Sequence, residues 1–535
     1  MSNVDHNMSL AGEPPERLST PQKIATGIGW TGVFILALSI FNVSFPKWGL
    51  WLSLGLIALG VIIFANDQYL GQPTGVKNNG IWFKSMTSRG VLAWGTGILL
   101  TLFYVVLYWF PEYLGYNPDG ANSGIIALFD PLSRMISGLP ASQWFVYGTL
   151  YTLAILAFGY KFLLKYRHNR YEVIRTFSVM FFQLGFAFLI PEILMRLNQP
   201  YYNPVNIWPL NYDLFADYKL QEFFSAGNIG VLMILFGIAS IFIITPVLTY
   251  FYGKRWYCSW VCGCGGLAET AGDPYRHLSD KSRKAWKFER WIIHSVLVFV
   301  VVMTIGVIYS FLNDNPANFW LTKDVFLWSS AGFLVLFFAL IMIFKRDQLA
   351  ADAKKAATIF LVVILAIISV NYFTGNGNIF FFHGSQLRTW YGFFIGAAFS
   401  GVIGVGFYPI FGNRVWCRFG CPMAAILGMQ QRLFSRFRIT TNGGQCISCG
   451  NCSTYCEMGI DVRAYAQKGE NIVRSSCVGC GICADVCPRG VLKLDNGPRE
   501  GRINGEGVLL GNDVDLLDLI REQKQSNKET ENSRL

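Results

Sequence analysis

Thirteen cysteines fall in three short stretches of the 535-residue chain, and their spacing decides which chemistry is open to them. Cys446, Cys449, Cys452 and Cys456 form one run, and Cys477, Cys480, Cys483 and Cys487 form a second. Each has the order C-x2-C-x2-C-x3-C, in which a compact loop wraps three thiolates round one face of an iron–sulfur cube. The interleaved glycines free the backbone to close on the sulfides. Structural zinc sites are usually built from separated ligand pairs, so zinc knuckles are disfavoured. The odd total and the clustering speak against a disulfide framework.

The other five cysteines follow a different pattern. Tyr252-Gly-Lys-Arg-Trp-Tyr-Cys258-Ser-Trp-Val-Cys262 is echoed 159 residues later by Phe411-Gly-Asn-Arg-Val-Trp-Cys417-Arg-Phe-Gly-Cys421. Pro422 suits the first turn of a helix, which is expected to put Cys421 at the positive helix end and lower its thiol pKa. If the repeats pack about a pseudo-twofold axis, Cys258, Cys262, Cys417 and Cys421 converge on one additional site. A third iron–sulfur cluster, a copper-binding or redox-active thiolate site, and a structural role are all open to them, since soft thiolates suit Cu(I) as well as iron. Cys264 has no partner in the pattern. Arg255 and Arg414, three residues before a Cys in each copy, read as topology anchors, with tuning of a nearby anionic site as the alternative.

The tail resembles the bacterial two-[4Fe-4S] ferredoxin domain. Its combination with repeated aromatic-Cys-x3-Cys motifs at the ends of apolar segments resembles the membrane polyferredoxin family, which includes accessory proteins of nitrate reductase, nitrous oxide reductase and cytochrome oxidase assembly. Cys417 to Pro422 keeps that family's Cys-x3-Cys-Pro form, whereas the first copy has Gly263 after its second Cys. In two-cluster ferredoxins the fourth Cys of each run serves the other cluster. The resemblance therefore implies one [4Fe-4S] cluster on Cys446, Cys449, Cys452 and Cys487, and another on Cys477, Cys480, Cys483 and Cys456. Glu457 stands where Pro usually follows the fourth Cys and is expected to loosen that turn. The implied function is electron transfer within an oxidoreductase system, between a quinol or cytoplasmic donor and a respiratory reductase partner. The alternative is a copper-reducing or metalloenzyme-assembly accessory protein using the Cys-x3-Cys thiolates.

The elements that must position these thiols are apolar. The hydrophobic set makes up 53% of the chain and charged residues only 14%, where soluble proteins carry roughly 25% charged residues. Ten stretches, near 24–45, 48–66, 90–110, 143–164, 176–197, 227–252, 291–312, 325–344, 356–374 and 390–411, approach the ~20 residues needed to cross a bilayer. Alternate connections starting with 67–89 carry nineteen Lys and Arg, and the intervening ones carry four. By the positive-inside rule both termini are cytoplasmic. The net charge of +11 then reports basic loops rather than a nucleic-acid partner.

The expected fold is an all-α polytopic protein of the inner (cytoplasmic) membrane, with about ten transmembrane helices as two four-helix repeats plus two. A small α+β ferredoxin-like cytoplasmic domain follows. The boundaries are 1–23, a cytoplasmic segment without a cleaved leader; 24–411, the membrane domain; 412–437, the Cys-x3-Cys-Pro linker helix; 438–500, the two-cluster domain; and 501–535, a tail. No C-x-x-C-H marks a covalent haem, and His294 is the single histidine within a predicted span. Glu192, inside the fifth stretch, is a candidate for proton handling, with pairing to Arg196 in the headgroup layer as the alternative.

Overall fold

The computed structural model of the chain describes residues 18–43, 45–70, 84–119, 121–315, 321–349, 351–375, 377–378, 382–442 and 445–496. Most of the expected N-terminal segment and the whole 501–535 tail lie outside the described residues. Among the described residues, nine helices are long and apolar enough to cross a membrane. They are α1 (Thr20–Ile40), α2 (Gly49–Tyr69), α3 (Val91–Trp109), α4 (Gln143–Lys165), α5 (Arg170–Arg196), α6 (Asn228–Tyr252), α7 (Arg283–Asp314), α8 (Lys323–Phe344) and α9 (Ala353–Thr374).

The tenth expected stretch differs. Its helix, α10 (384–403), opens on Ser385, Gln386, Arg388 and Thr389, which dilute its apolar content. It stops before Gly404 and Gly406, where a β-carbon would lie 2.9 Å from the Trp416 side chain and 2.5 Å from Thr101. A separate turn of helix, Tyr408–Phe411, completes the segment. Helix α7 starts eight residues earlier than expected and runs for 32 residues. At 1.5 Å per residue it is about 48 Å long and overreaches the hydrocarbon layer. A 13-residue amphipathic helix that the sequence reading missed, Gly124–Ile136, lies between α3 and α4 and buries Ile126 and Phe129.

Helices α1 and α2 pack against each other, and small residues let them approach. Lipid offers helices no hydrophobic drive to associate, so close packing and interhelical hydrogen bonds must hold them. Ser53 donates to the Gly32 carbonyl at 2.8 Å, and a β-carbon on Gly60 would sit 2.7 Å from the Ala25 carbonyl and 2.9 Å from Gly29 Cα. The two Cys-x3-Cys copies share a further feature. Helix α6 is π-helical over Ser240–Ile244 and α10 over Gly392–Ile403, and each π segment ends fourteen residues before the first Cys of its copy.

After the second copy comes α11 (Pro422–Phe434), and then a small unit built on an antiparallel pair, β1 (Arg438–Thr441) with β2 (Leu492–Asp495). Ile439 also bridges to Ile472. Three short helices, Asn451–Thr454, Val462–Lys468 and Ile482–Asp485, lie between the strands. One continuous core joins this unit to the membrane helices, running from Phe162 and Val300 through Trp416 and Phe437 to Ile482 and Val491. For the α1–α2 pair, Gly60→Leu is expected to destabilise the protein by about 1–3 kcal/mol through overpacking. Thermal unfolding in detergent checks this; an unchanged transition would mean the close approach is not needed.

Candidate functional site

The two four-cysteine runs have the same backbone. Ser448 and Gly450 in the first, and Gly479 and Gly481 in the second, occupy equivalent places and all have positive φ, at 59°, 83°, 63° and 91°. Each loop thus turns twice through the left-handed region before its short helix begins, which brings its first three thiols round together. Burial pushes the Cys452 thiol up to about 12, with Cys487, Cys449 and Cys446 as the neighbouring thiols that add to the rise. Burial likewise raises Cys483, and Cys480, Cys477 and Cys456 are foremost among its neighbours. Cys487 thus lies near the first run and Cys456 near the second. Cys446, Cys449, Cys452 and Cys487 line an open cavity rimmed by Arg463 and Arg489.

The Cys-x3-Cys pairs also come together. Cys258, Cys262, Cys417 and Cys421 are all buried in the common core. Cys421 feels Cys417, Cys258 and Cys262 as neighbours, and Cys258 feels Cys417 and Cys262. Pro422 does open a helix, with Cys421 as its N-cap and the Ala424 N–H 3.4 Å from Sγ. The thiol pKa nevertheless moves up, because burial outweighs that hydrogen bond. Cys262 moves down to about 7, chiefly through its hydrogen bond with Cys264, which gives the unassigned thirteenth cysteine a neighbour. A β-carbon on Gly263 would touch Tyr151 at 3.4 Å. That contact lies eight residues from the start of α4, or about 12 Å along the helix, so the site is sunk among the membrane helices.

The glycines of the repeat frame explain the convergence. Gly253 and Gly412 both have positive φ, at 65° and 95°. A β-carbon would lie 2.7 Å from Phe437 at the first and 2.6 Å from the Ser279 hydroxyl at the second. Each copy therefore leaves its helix by a sharp turn packed against the structure beyond.

Arg414 is fully buried rather than a headgroup anchor. Its guanidinium lies 3.5 Å from Cys417 Sγ, donates to the Cys258 carbonyl at 3.3 Å, and pairs with Glu269 and, at 3.0 Å, with Glu457. Glu457 also pairs with Arg276 at 2.8 Å and accepts from Asn413 at 3.1 Å. Arg276 continues to Asp273 at 2.7 Å, and Asp273 to Lys165 at 2.8 Å. Burial alone would raise the Glu457 carboxyl, but Arg276 and Arg414 bring it below the usual range. Glu457 therefore fastens the turn after Cys456 instead of loosening it. Arg255 in the first copy behaves differently, stacking on Phe437 at 4.6 Å and donating to Asn496 at 3.0 Å. Between the copies and the second run, Ser259 donates to the Val478 carbonyl at 2.9 Å and Gln431 to the Cys477 carbonyl at 2.9 Å.

Residues 445–492 match the 4Fe-4S dicluster domain family. A second family, the 4Fe-4S binding domain, matches residues 234–288 and again 392–440, so one family model brackets both Cys-x3-Cys pairs. The chain is an iron–sulfur membrane protein. YccM of Escherichia coli (strain K12), described provisionally as an electron transport protein, is 40% identical over 53 residues, which is 10% of this chain and 15% of that protein. No solved structure matches.

The donor sets fit the group these families bind. All twelve are thiols, which are soft ligands, and the glycine-rich turns of the two runs give the backbone access to a cube. No three of the described His, Cys, Asp or Glu side chains are gathered as ligands of a single ion. Glu192 stands apart from the thiols, buried on α5. Arg196 turns to the Met135 carbonyl, and no Glu192–Arg196 pair forms among the described residues. Glu192 instead neighbours Tyr201.

One contact at the junction involves a titratable side chain. His168 Nε2 lies 2.9 Å from Asp485, between Cys483 and Cys487, and this hydrogen bond raises the histidine pKa. A raised folded-state pKa contributes stability that is fully present below the ordinary histidine value of about 6.5 and is lost as pH rises through the raised value. Amide-exchange protection of Ile482–Asp485 is expected to fall on going from about pH 6 to about pH 8. His168→Gln is expected to remove that pH dependence; a dependence that persists in the variant would assign it elsewhere.

Proposed function

We propose that this chain is an electron-transfer component of an oxidoreductase system, a ten-span protein of the cytoplasmic membrane with both termini in the cytoplasm and three [4Fe-4S] clusters. Cys446, Cys449, Cys452 and Cys487 would hold the first cluster, and Cys477, Cys480, Cys483 and Cys456 the second. Cys258, Cys262, Cys417 and Cys421 would hold the third. The observation that carries this reading is the meeting of the two repeat pairs under Arg414, with the same 4Fe-4S family model matching around each. Each bound cluster supplies one-electron transfer at a potential set by charge, hydrogen bonds and burial.

The chain's own groups do the rest. The αL turns at Gly450 and Gly481 present the thiols, and Ser259 and Gln431 hold the second run against the repeats. Helix packing excludes water from the junction, so hydrogen bonds and charges there act in a low dielectric. The cavity lined by Cys446, Cys449, Arg463 and Arg489 offers an entry point for a cytoplasmic donor. The sunken junction site brings the opposite end of the path into the membrane domain, where a quinone or a second subunit is reached without crossing the full ~30 Å of hydrocarbon. A respiratory reductase is the proposed destination. Glu192, remote from the thiols, is proposed for proton handling with a quinol at the far end of α5.

Iron and acid-labile sulfide analysis of the anaerobically purified full chain tests the ligand sets. About twelve Fe per chain is expected. Cys417→Ser is expected to lower the content to about eight while leaving the other two clusters in place. About eight Fe in the unsubstituted protein would remove the third cluster, and zinc or copper in place of iron would refute the reading.

A further inference from the structure

Glu457 and Arg414 lie outside the proposed ligand sets, yet they connect two of them. Glu457 follows Cys456 directly, and its carboxylate meets Arg414 at 3.0 Å. The same guanidinium lies 3.5 Å from Cys417 Sγ and 3.3 Å from the Cys258 carbonyl. Both charged side chains are fully buried. No solvent screens them, so each acts on nearby charge at much greater strength than at the surface. The route from Cys456 to Cys417 is thus one peptide bond, one carboxylate and one guanidinium. On the Glu457 side the charge is shared with Arg276, which faces Cys480, one of the thiols grouped with Cys456. On the Arg414 side it is shared with Glu269.

A fixed cation beside an anionic thiolate site favours its reduced, more negative form, and a fixed anion disfavours it. Arg414 is positioned to favour reduction at the Cys258/Cys262/Cys417/Cys421 site. Glu457 is positioned to oppose it on the Cys456 side. We propose that the buried Glu457–Arg414 pair is an electrostatic coupling element that makes the junction site the better electron acceptor of the two, directing electrons from the ferredoxin-type tail into the membrane domain. This rests on the three-cluster reading. With clusters bound, the one electron given up on the Cys456 side would be the one gained at the Cys258/Cys262/Cys417/Cys421 site. No bond forms or breaks, and both side chains keep their protonation. Neither residue is a ligand; each acts through position.

Anaerobic redox titration of the full chain, followed by EPR, with iron content measured on the same samples, tests this. In the unsubstituted protein the signal abolished by Cys417→Ser identifies the junction site. Arg414→Gln is expected to shift that signal's midpoint downward, and Arg414→Lys to restore it towards the original value. Glu457→Gln, which removes the anion without a change of shape, is expected to shift the Cys456-side signal upward. Arg276→Gln is expected to move the Cys456-side signal downward while leaving the junction signal in place. A residue that only supported the fold would not give shifts of opposite sign at constant iron. If the variants keep about twelve Fe and every midpoint stays put, the coupling is overturned and the three clusters stand. If Arg414→Gln loses iron, Glu457→Gln decides alone: an upward shift supports the coupling and an unmoved midpoint overturns it. About eight Fe in the unsubstituted chain, with no signal sensitive to Cys417→Ser, overturns the three-cluster reading and the coupling with it.

Discussion

Everything at the junction depends on the need to pair charges that are taken out of water. Lys165, Asp273, Arg276, Glu457, Arg414 and Glu269 form a connected chain of ion pairs that is almost completely buried, where membrane helices meet the cysteine-rich tail. Isolated buried ions cost several kcal/mol each, and losing one partner of a buried pair typically costs about 3–5 kcal/mol. Such a chain therefore tolerates little displacement of one side against the other. It holds the tail in a single position against the membrane domain, and it does so in a protein with few charges to spare.

The same constraint links fold to chemistry. Two helices bend out of the membrane domain at Gly253 and Gly412, where positive φ and crowding by Phe437 and Ser279 leave no room for a side chain. Those bends deliver two thiol pairs to one place. They also deliver Arg414 beside Cys417 and Ser259 beside Val478. A group that must stay in register with both the repeats and the tail is best fixed by directional, buried contacts, because apolar packing alone is tolerant of sliding.

Much of this was legible in the sequence. Nine spans, the 159-residue repeat and the duplicated cysteine runs are local patterns, and local patterns are set by neighbours in the chain. What was not legible involves residues far apart. Arg414 reads as a topology anchor because an arginine at the end of an apolar helix usually is one; its partners Glu269 and Glu457 lie 145 and 43 residues away. Glu457 carried a signal in its departure from Pro, but its consequence was misjudged, since only the fold supplies Arg276 and Arg414. The Cys421 thiol was placed correctly at a helix start, and the direction of its pKa was missed because burial is a property of the packed molecule. Helix α10 ended early at a pair of glycines whose role is contact with Trp416 and Thr101.

The central claim is that the tail and the repeat pairs form one electron-transfer unit rather than separate sites on one chain. Low-temperature EPR of the fully reduced, membrane-embedded full chain tests it most directly. Magnetic interaction between the junction signal and the tail signals is expected, seen as splitting and faster relaxation that vanish with Cys417→Ser. A spectrum that is the plain sum of isolated clusters, unchanged in shape when the junction signal is removed, would contradict it.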